Sequence, residues 1–152
     1  MKVKVSSRIV EETLRELQYN GRKSKERMIL WLGKRGGDEI NVKEIFIPRQ
    51  KNSKISIRIE QIGMNQIFSK LRNSGLMVAV QIHSHPDYAF HSYSDDILSI
   101  IRHEGGISLV IPNFGLRTTA SSFLRDAKCY ELSRNDVWEE SIYEDCIELK
   151  ES

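Results

Sequence analysis

Apolar residues recur at the three-to-four-residue spacing of amphipathic helices in three stretches of the chain. Val10, Leu14 and Leu17 mark the first helix, which serines precede and an asparagine-glycine pair follows. A second helix is predicted from about Glu60 to Asn73, and a third from Ser92 to about His103. The pattern therefore predicts helices that each turn one apolar face towards a core.

Shorter apolar or alternating runs between the helices predict β-strands. Met1 to Val5 alternates valine with lysine and is expected to be a short edge strand. Glu26 to Gly33 is strongly apolar, and Ile40 to Pro48 is its predicted hairpin partner. The run from Leu76 to His83 is typical of a central strand that is covered on both faces, and Ile107 to Ile111 predicts another buried strand.

The remaining segments have a weaker periodicity. Gln50 to Lys54 is interpreted as a polar, basic loop, and Ile55 to Ile59 as a short strand. In the last third of the chain, Ser121–Arg125, Lys128–Leu132 and Cys146–Leu149 are predicted strands. The length of the chain and the lack of an internal boundary predict a single domain over residues 1–152. The order of elements indicates the α/β (α+β) class, in which helices flank a central mixed sheet.

Composition and charge narrow the class of protein. The 152 residues are 39% hydrophobic and 29% charged, as in globular domains, and the net charge of +2 gives no reason to expect nucleic acid as a partner. Basic residues cluster at 22–27 and 51–58, where solvated side chains are the favoured interpretation. No apolar run suggests a membrane span or an export signal. Cys129 and Cys146 lack metal-site spacing and are expected to be reduced thiols of a cytoplasmic protein.

The stretch from Gln81 to Asp96, QIHSHPDYAFHSYSDD, carries the candidate chemistry. Residues two apart on a strand point to the same side, so His83 and His85 are expected side by side where Pro86 ends the strand. Asp95 falls in the first turn of the following predicted helix. Two imidazoles and a carboxylate are three ligands for Zn²⁺ and leave a fourth position open, as in catalytic zinc sites.

Each part of this pattern also has a simpler interpretation. A His-x-His pair can be exposed at a strand end, and Ser92-x-x-Asp95 resembles a capping box that satisfies backbone N–H groups. Zinc-assisted hydrolysis needs, in addition, a base that does not bind the metal. Glu26 is a candidate because it opens a buried strand, although a charged residue at a strand end is ordinary there.

Together these residues resemble the JAMM motif of the MPN-domain zinc metalloproteases. That motif has a glutamate seven residues before a glycine, then His-Ser/Thr-His-Pro, then Ser-x-x-Asp. The chain has Glu26 and Gly33, then His83 to Pro86, then Ser92-x-x-Asp95, with a gap before the serine that is one residue shorter than is usual in the family. Either Asp95 or its neighbour Asp96 could be the ligand, because only one of two successive helical residues can face the metal.

The resemblance implies an MPN/JAMM fold in which His83, His85 and Asp95 bind Zn²⁺, Glu26 is the general acid/base and Ser92 donates a hydrogen bond to the developing oxyanion. It further implies an isopeptidase or peptidase that cuts after the C-terminus of a ubiquitin-like protein or its conjugate. Activating- or conjugating-enzyme-like proteins would be further partners, in a bacterial ubiquitin-like conjugation or antiphage defence system. A protease that processes a sulfur-carrier protein and a non-catalytic MPN scaffold are the alternatives.

Overall fold

A computed structural model describes residues 2–89 and 100–150 of the chain. The strands among these residues are β1 (Lys2–Ser6), β2 (Met28–Gly36), β3 (Glu39–Phe46), β4 (Gln50–Asn52), β5 (Ile57–Ile59), β6 (Met77–Ser84), β7 (Ile107–Ile111), β8 (Lys128–Leu132), β9 (Trp138–Ser141) and β10 (Ile147–Lys150). The helices are α1 (Ser7–Gly21), α2 (Gln61–Ser74) and a single turn at Phe123–Asp126, with 3₁₀ turns at Asn113–Gly115 and Tyr143–Asp145.

Eight of the strands form one mixed sheet in the order β10-β1-β3-β2-β6-β7-β8-β9, and β4 pairs with β5 in a separate hairpin. The pairs β1–β10, β1–β3 and β6–β7 are parallel, and the remaining neighbours are antiparallel. The sheet curls so that its two ends approach each other. Cys146, just before β10, has its Sγ 3.3 Å from Glu131 Oε2 on β8 and 3.5 Å from Ser141 Oγ on β9. The predicted class, a central mixed sheet flanked by helices, is confirmed.

Alternation along β2 supplies both faces of the sheet with apolar side chains. Ile29 and Trp31 belong to the core that α1 covers, whereas Leu30 and Leu32 belong to a second core that Ile67 of α2 completes. Side chains of successive strand residues point to opposite faces, so a continuous apolar run is what a strand covered on both sides requires. The two helices therefore lie on opposite faces of the sheet.

Local sequence accounts for the ends of both long helices. Ser6 caps α1, since its Oγ accepts a hydrogen bond from the N–H of Ile9 at 3.3 Å. Gly75 ends α2 in the left-handed conformation with φ of 72°, which glycine adopts at little cost. Both boundaries lie within a residue or two of those predicted from the sequence.

Gly33 occupies a point where two strands approach closely. The pairing of β2 with β3 shifts by one residue between Leu32 and Gly33, and a Cβ atom at Gly33 would lie 2.7 Å from the carbonyl oxygen of Asn41. Any larger residue would push the strands apart, because real Cβ contacts are never that short. The glycine that helped to suggest the motif thus has a structural role in the central strand.

Four sequence-based predictions are corrected by the structure. The first strand is not an edge strand, because β10 pairs with β1 on the side away from β3. Residues 50–54 are not simply a loop, since β4 pairs there with β5. Ser121–Arg125 was expected to be a strand, but Phe123–Asp126 forms a helical turn that buries Phe123 against Trp31 at 6.1 Å between ring centroids. Finally, residues 100–103 are not helical; the rest of the third predicted helix lies outside the described residues.

Candidate metal centre

Strand β6 brings His83 and His85 together at its carboxyl end. The two imidazole rings are 5.2 Å apart between centroids and tilted by 52°, and both residues are buried. The backbone of His85 is fixed from both sides, because its N–H donates to the carbonyl of Ile111 at 2.8 Å and its carbonyl accepts from the N–H of Phe114 at 2.7 Å. The end of β7 and the turn that follows it therefore hold the second histidine in place.

Glu26 lies across the strand pair from these histidines. Met28 of β2 is opposite His83, and the N–H of Ser84 donates to the carbonyl of Arg27 at 3.1 Å. Continued beyond the paired residues, this register puts Glu26 opposite His85. Directly opposed residues of an antiparallel pair project to the same face. Glu26 is 4% exposed, although a carboxylate at a strand end is normally in solvent. The structure thus places the candidate base on the histidine face.

The β4–β5 hairpin holds the backbone around Glu26. The N–H of Glu26 donates to the carbonyl of Ser53 at 2.9 Å, and the Asn52 side-chain amide donates to the carbonyl of Glu26. Two residues further on, Gln50 Oε1 accepts from the N–H of Met28 at 2.8 Å while Gln50 Nε2 donates to the Met28 carbonyl at 2.9 Å. Both backbone groups of Glu26 and of Met28 are therefore bonded to the hairpin.

The residue between the two histidines and the residue after Glu26 tie the strands together. Ser84 Oγ accepts the N–H of Arg27 at 3.0 Å, and the Arg27 guanidinium pairs with Glu16 of α1 at 3.0 Å. Neither side chain is free to serve as a ligand or a base. Their contacts instead fix the relative position of β2, β6 and α1 next to the candidate site.

The chain returns to the histidine face at residue 100. The N–H groups of Ile100 and Ile101 donate to Gln81 Oε1 at 2.9 and 3.1 Å. Gln81 lies two residues before His83 on β6, so its side chain projects from the same face as both imidazoles. The segment that carries Ser92 and Asp95 thus leaves the described structure just beyond His85 and rejoins it beside Gln81.

Not all of the predicted site is described. His91, Ser92, Asp95 and Asp96 lie outside the described residues. Within residues 2–89 and 100–150, no three His, Cys, Asp or Glu side chains are grouped so that they could hold a metal ion. The structure therefore brings His83 and His85 together and buries Glu26 just before the neighbouring strand, while the role of Glu26, the third ligand and the oxyanion donor stay predictions.

The two imidazoles have the separation that one shared zinc ion requires. With zinc–nitrogen distances of about 2.0–2.1 Å and tetrahedral angles, two such rings have centroids roughly 5 Å apart. The observed 5.2 Å agrees with that value. Neutral imidazole nitrogens are common zinc ligands, and a nearby buried carboxylate that is not one of them is the group that metal-assisted hydrolysis uses as a base. By donor type and separation, His83 and His85 fit zinc as two of its ligands.

Sequence reasoning missed the polar residues that hold the backbone around the candidate site. Gln50 and Asn52 fall in a polar, basic stretch without a recognisable motif. Gln81 is a single polar residue within the apolar part of a predicted strand. One signal was available: an uncharged amide inside the otherwise apolar run of β6 needs a buried hydrogen-bond partner. No comparable signal marks Gln50 or Asn52, because their partners are backbone groups more than twenty residues away.

The chain is similar to one known protein in sequence and to another in fold. It is 33% identical over 102 residues to the "Probable metalloprotease y4jG" of Sinorhizobium fredii, and the matched segment covers 64% of this chain and 63% of that protein. The chain thus spans less than two thirds of that relative's length. The solution structure of protein DSY2949 from Desulfitobacterium hafniense matches with a TM-score of 0.65 and 18% identity, over 99% of this chain and 94% of that one. No protein-family model matches the chain.

No helix among residues 2–89 and 100–150 combines the length and the apolar character that crossing a bilayer would require.

Proposed function

We propose that the chain is a zinc-dependent peptidase with Glu26 as its general acid/base. The observation that supports this proposal is that the rings of His83 and His85 lie 5.2 Å apart and that Glu26, also buried, lies just before the strand beside them. A glutamate is seldom buried this completely, and ionisable side chains that are buried near one another cluster at functional sites. The similarity to a probable metalloprotease supports the same reaction class.

His83, His85 and Asp95 would hold the ion, and Asp96 is the alternative to Asp95. When bound, zinc polarises an amide carbonyl and makes a water molecule acidic enough to lose a proton near neutral pH. The Glu26 carboxylate accepts that proton and returns it to the leaving amine. Ser92 donates a hydrogen bond to the oxygen that becomes negative in the transition state. Burial of Glu26 keeps bulk water from competing for the proton.

A second part of the proposal concerns the substrate. On the resemblance to the JAMM proteases, the scissile bond follows the C-terminus of a ubiquitin-like protein, in a precursor or in a conjugate. Processing of a sulfur-carrier protein would use the same catalytic groups, so a cleavage assay is needed to distinguish the two substrate classes. Purified fusions of each class, incubated with and without a chelator, would reveal which is cleaved.

Metal analysis combined with a Glu26→Gln variant tests the proposed reaction. We expect about one zinc per chain in the wild type and in Glu26→Gln, with cleavage abolished only in the variant. Glu139→Gln, which changes an exposed glutamate on β9, is the matched control and should keep full activity. A folded wild-type protein that binds no zinc would favour the scaffold instead, and wild-type cleavage by Glu26→Gln would disprove the role of the glutamate.

Further variants test the residues outside the described structure. Asp95→Asn should lose zinc while Asp96→Asn retains it, and equal retention by both would rule out Asp95 as a ligand. Ser92→Ala should keep the metal and reduce the rate about 10²–10³-fold, which is the loss expected for one oxyanion donor. A fully active Ser92→Ala enzyme would point to another donor.

A further inference from the structure

Two basic segments that are far apart in the sequence lie side by side in the fold. The N–H of Glu26 donates to the carbonyl of Ser53 at 2.9 Å, so Lys25 and Lys54, the adjoining residues, flank one hydrogen bond. We use the name basic rim for the exposed basic side chains of these two segments: Arg22, Lys23, Lys25, Arg49, Lys51, Lys54 and Arg58. Each basic segment alone is ordinary, but the hydrogen bond between Glu26 and Ser53 brings the two together beside the candidate base.

Few acidic groups neutralise the basic rim. Glu60 pairs with Arg49 at 2.9 Å and lies 3.9 Å from Lys51. Among residues 2–89 and 100–150, no carboxylate makes an ion pair with Lys25, Lys54 or Arg58. The whole chain carries a net charge of only +2, so the remainder of the molecule is net negative. The positive charge is thus concentrated where the hairpin meets Glu26.

The tip of the hairpin also presents an apolar side chain. The N–H of Ser53 donates to the carbonyl of Ser56 at 2.9 Å, and their hydroxyl oxygens are 2.7 Å apart, so the turn between them is closed by two hydrogen bonds. Ile55 projects from this turn with 77% of its surface exposed. One exposed isoleucine is ordinary, but within a basic surface it can supply an apolar contact to a partner that the charges attract.

We propose that the basic rim binds an acidic segment of the protein substrate and directs the scissile bond to Glu26. This inference rests on the proposed peptidase function. The hairpin lies next to Glu26, because it bonds both backbone groups of that residue, so a substrate chain held on the basic rim lies beside Glu26. Clustered charges of one sign attract an opposite charge, raise the association rate and lose their effect as salt screens them.

Binding to a catalytically silent chain tests the basic rim separately from the reaction. Full-length protein with Glu26→Gln is titrated against a short fluorescent peptide rich in glutamate, and against the same peptide with glutamine at every glutamate position. A single-stranded oligonucleotide of equal charge is the third probe. We expect the glutamate peptide to bind more tightly than both other probes, with an affinity that falls as salt is added.

Charge reversal then locates the binding surface. Lys54→Glu with Arg58→Glu should weaken binding of the glutamate peptide about tenfold or more. Lys34→Glu with Arg35→Glu is the matched control, because it makes the same charge change on exposed residues at the far end of β2. Equal weakening by both pairs, equal binding of the glutamine peptide, or tighter binding of the oligonucleotide would overturn the proposal. If the peptide behaves as expected but the wild-type enzyme cleaves no substrate, the proposed reaction fails and the basic rim stands.

Discussion

Replacing Gln50 by leucine should destabilise the protein, because the Gln50 amide takes the place of a missing strand. β3 ends at Phe46, and Pro48 has no N–H with which to continue the ladder along β2. Beyond that point the N–H and carbonyl of Met28 are both bonded to the Gln50 side chain, at 2.8 and 2.9 Å. Leucine has a similar volume and neither donates nor accepts a hydrogen bond.

The expected loss in the free energy of unfolding follows from the burial of Met28, which is 2% exposed. A buried backbone group that loses its partner costs about 1–3 kcal/mol, and two such groups are affected. Gln50 is only half-buried, so water can reach part of the space and the lower half of that range applies. We therefore expect a loss of about 2–4 kcal/mol, a large fraction of the ~5–15 kcal/mol that stabilises a typical domain.

Urea unfolding measured by tryptophan fluorescence gives the free energy of unfolding, and amide hydrogen exchange reports directly on the N–H of Met28. Gln66→Leu is the control, because Gln66 Oε1 accepts a single exposed hydrogen bond from the N–H of Arg49 at 3.0 Å. The free energy of unfolding of Gln66→Leu should fall by less than about 1 kcal/mol. The reasoning is wrong if Gln50→Leu costs no more than Gln66→Leu, or if exchange at Met28 is unchanged.

Two further predictions concern the core. Thr13→Val removes the hydroxyl that accepts the indole N–H of Trp31 at 2.8 Å inside the α1 core, so it should lower the free energy of unfolding by about 1–3 kcal/mol, whereas Thr13→Ser should recover most of the loss. Burial raises the pKa of the Cys129 thiol to about 12, which leaves the folded state holding a proton that the unfolded state releases above pH 9. Stability should therefore fall as the pH rises above about 9, and a Cys129→Ala variant that showed the same decline would exclude this thiol as the cause.

Elements dictated by local pattern could be predicted from the sequence, and so could part of the candidate site. The spacing of Val10, Leu14 and Leu17 specifies α1, and the apolar run ending at His83 specifies a strand covered on both faces. The alternation of a strand also predicted that His83 and His85 share a face, and the two rings do lie together. These predictions depend only on residues that are neighbours in the chain.

Pairing between distant segments could not be predicted in the same way. No local pattern states that β10 lies beside β1, or that the Gln50 side chain completes the hydrogen bonding of Met28. The sequence predicts a strand at Ser121–Arg125, but Phe123 stacks on Trp31 from a helical turn. Tertiary contacts decide such segments, and the sequence of a single chain does not display them.

The parallel pairing of β1 with β10 imposes an order on folding. The N–H of Val3 donates to the carbonyl of Cys146, and Val3 is paired with Ile147. The strand β1 therefore meets one of its two partners only after residues 146–150 have been synthesised. Until then one side of β1 can pair with another molecule, which makes the nascent protein sensitive to crowding on the ribosome. Removal of β10 would leave that side open permanently, and such a variant should therefore aggregate even though Glu26, His83 and His85 are unchanged.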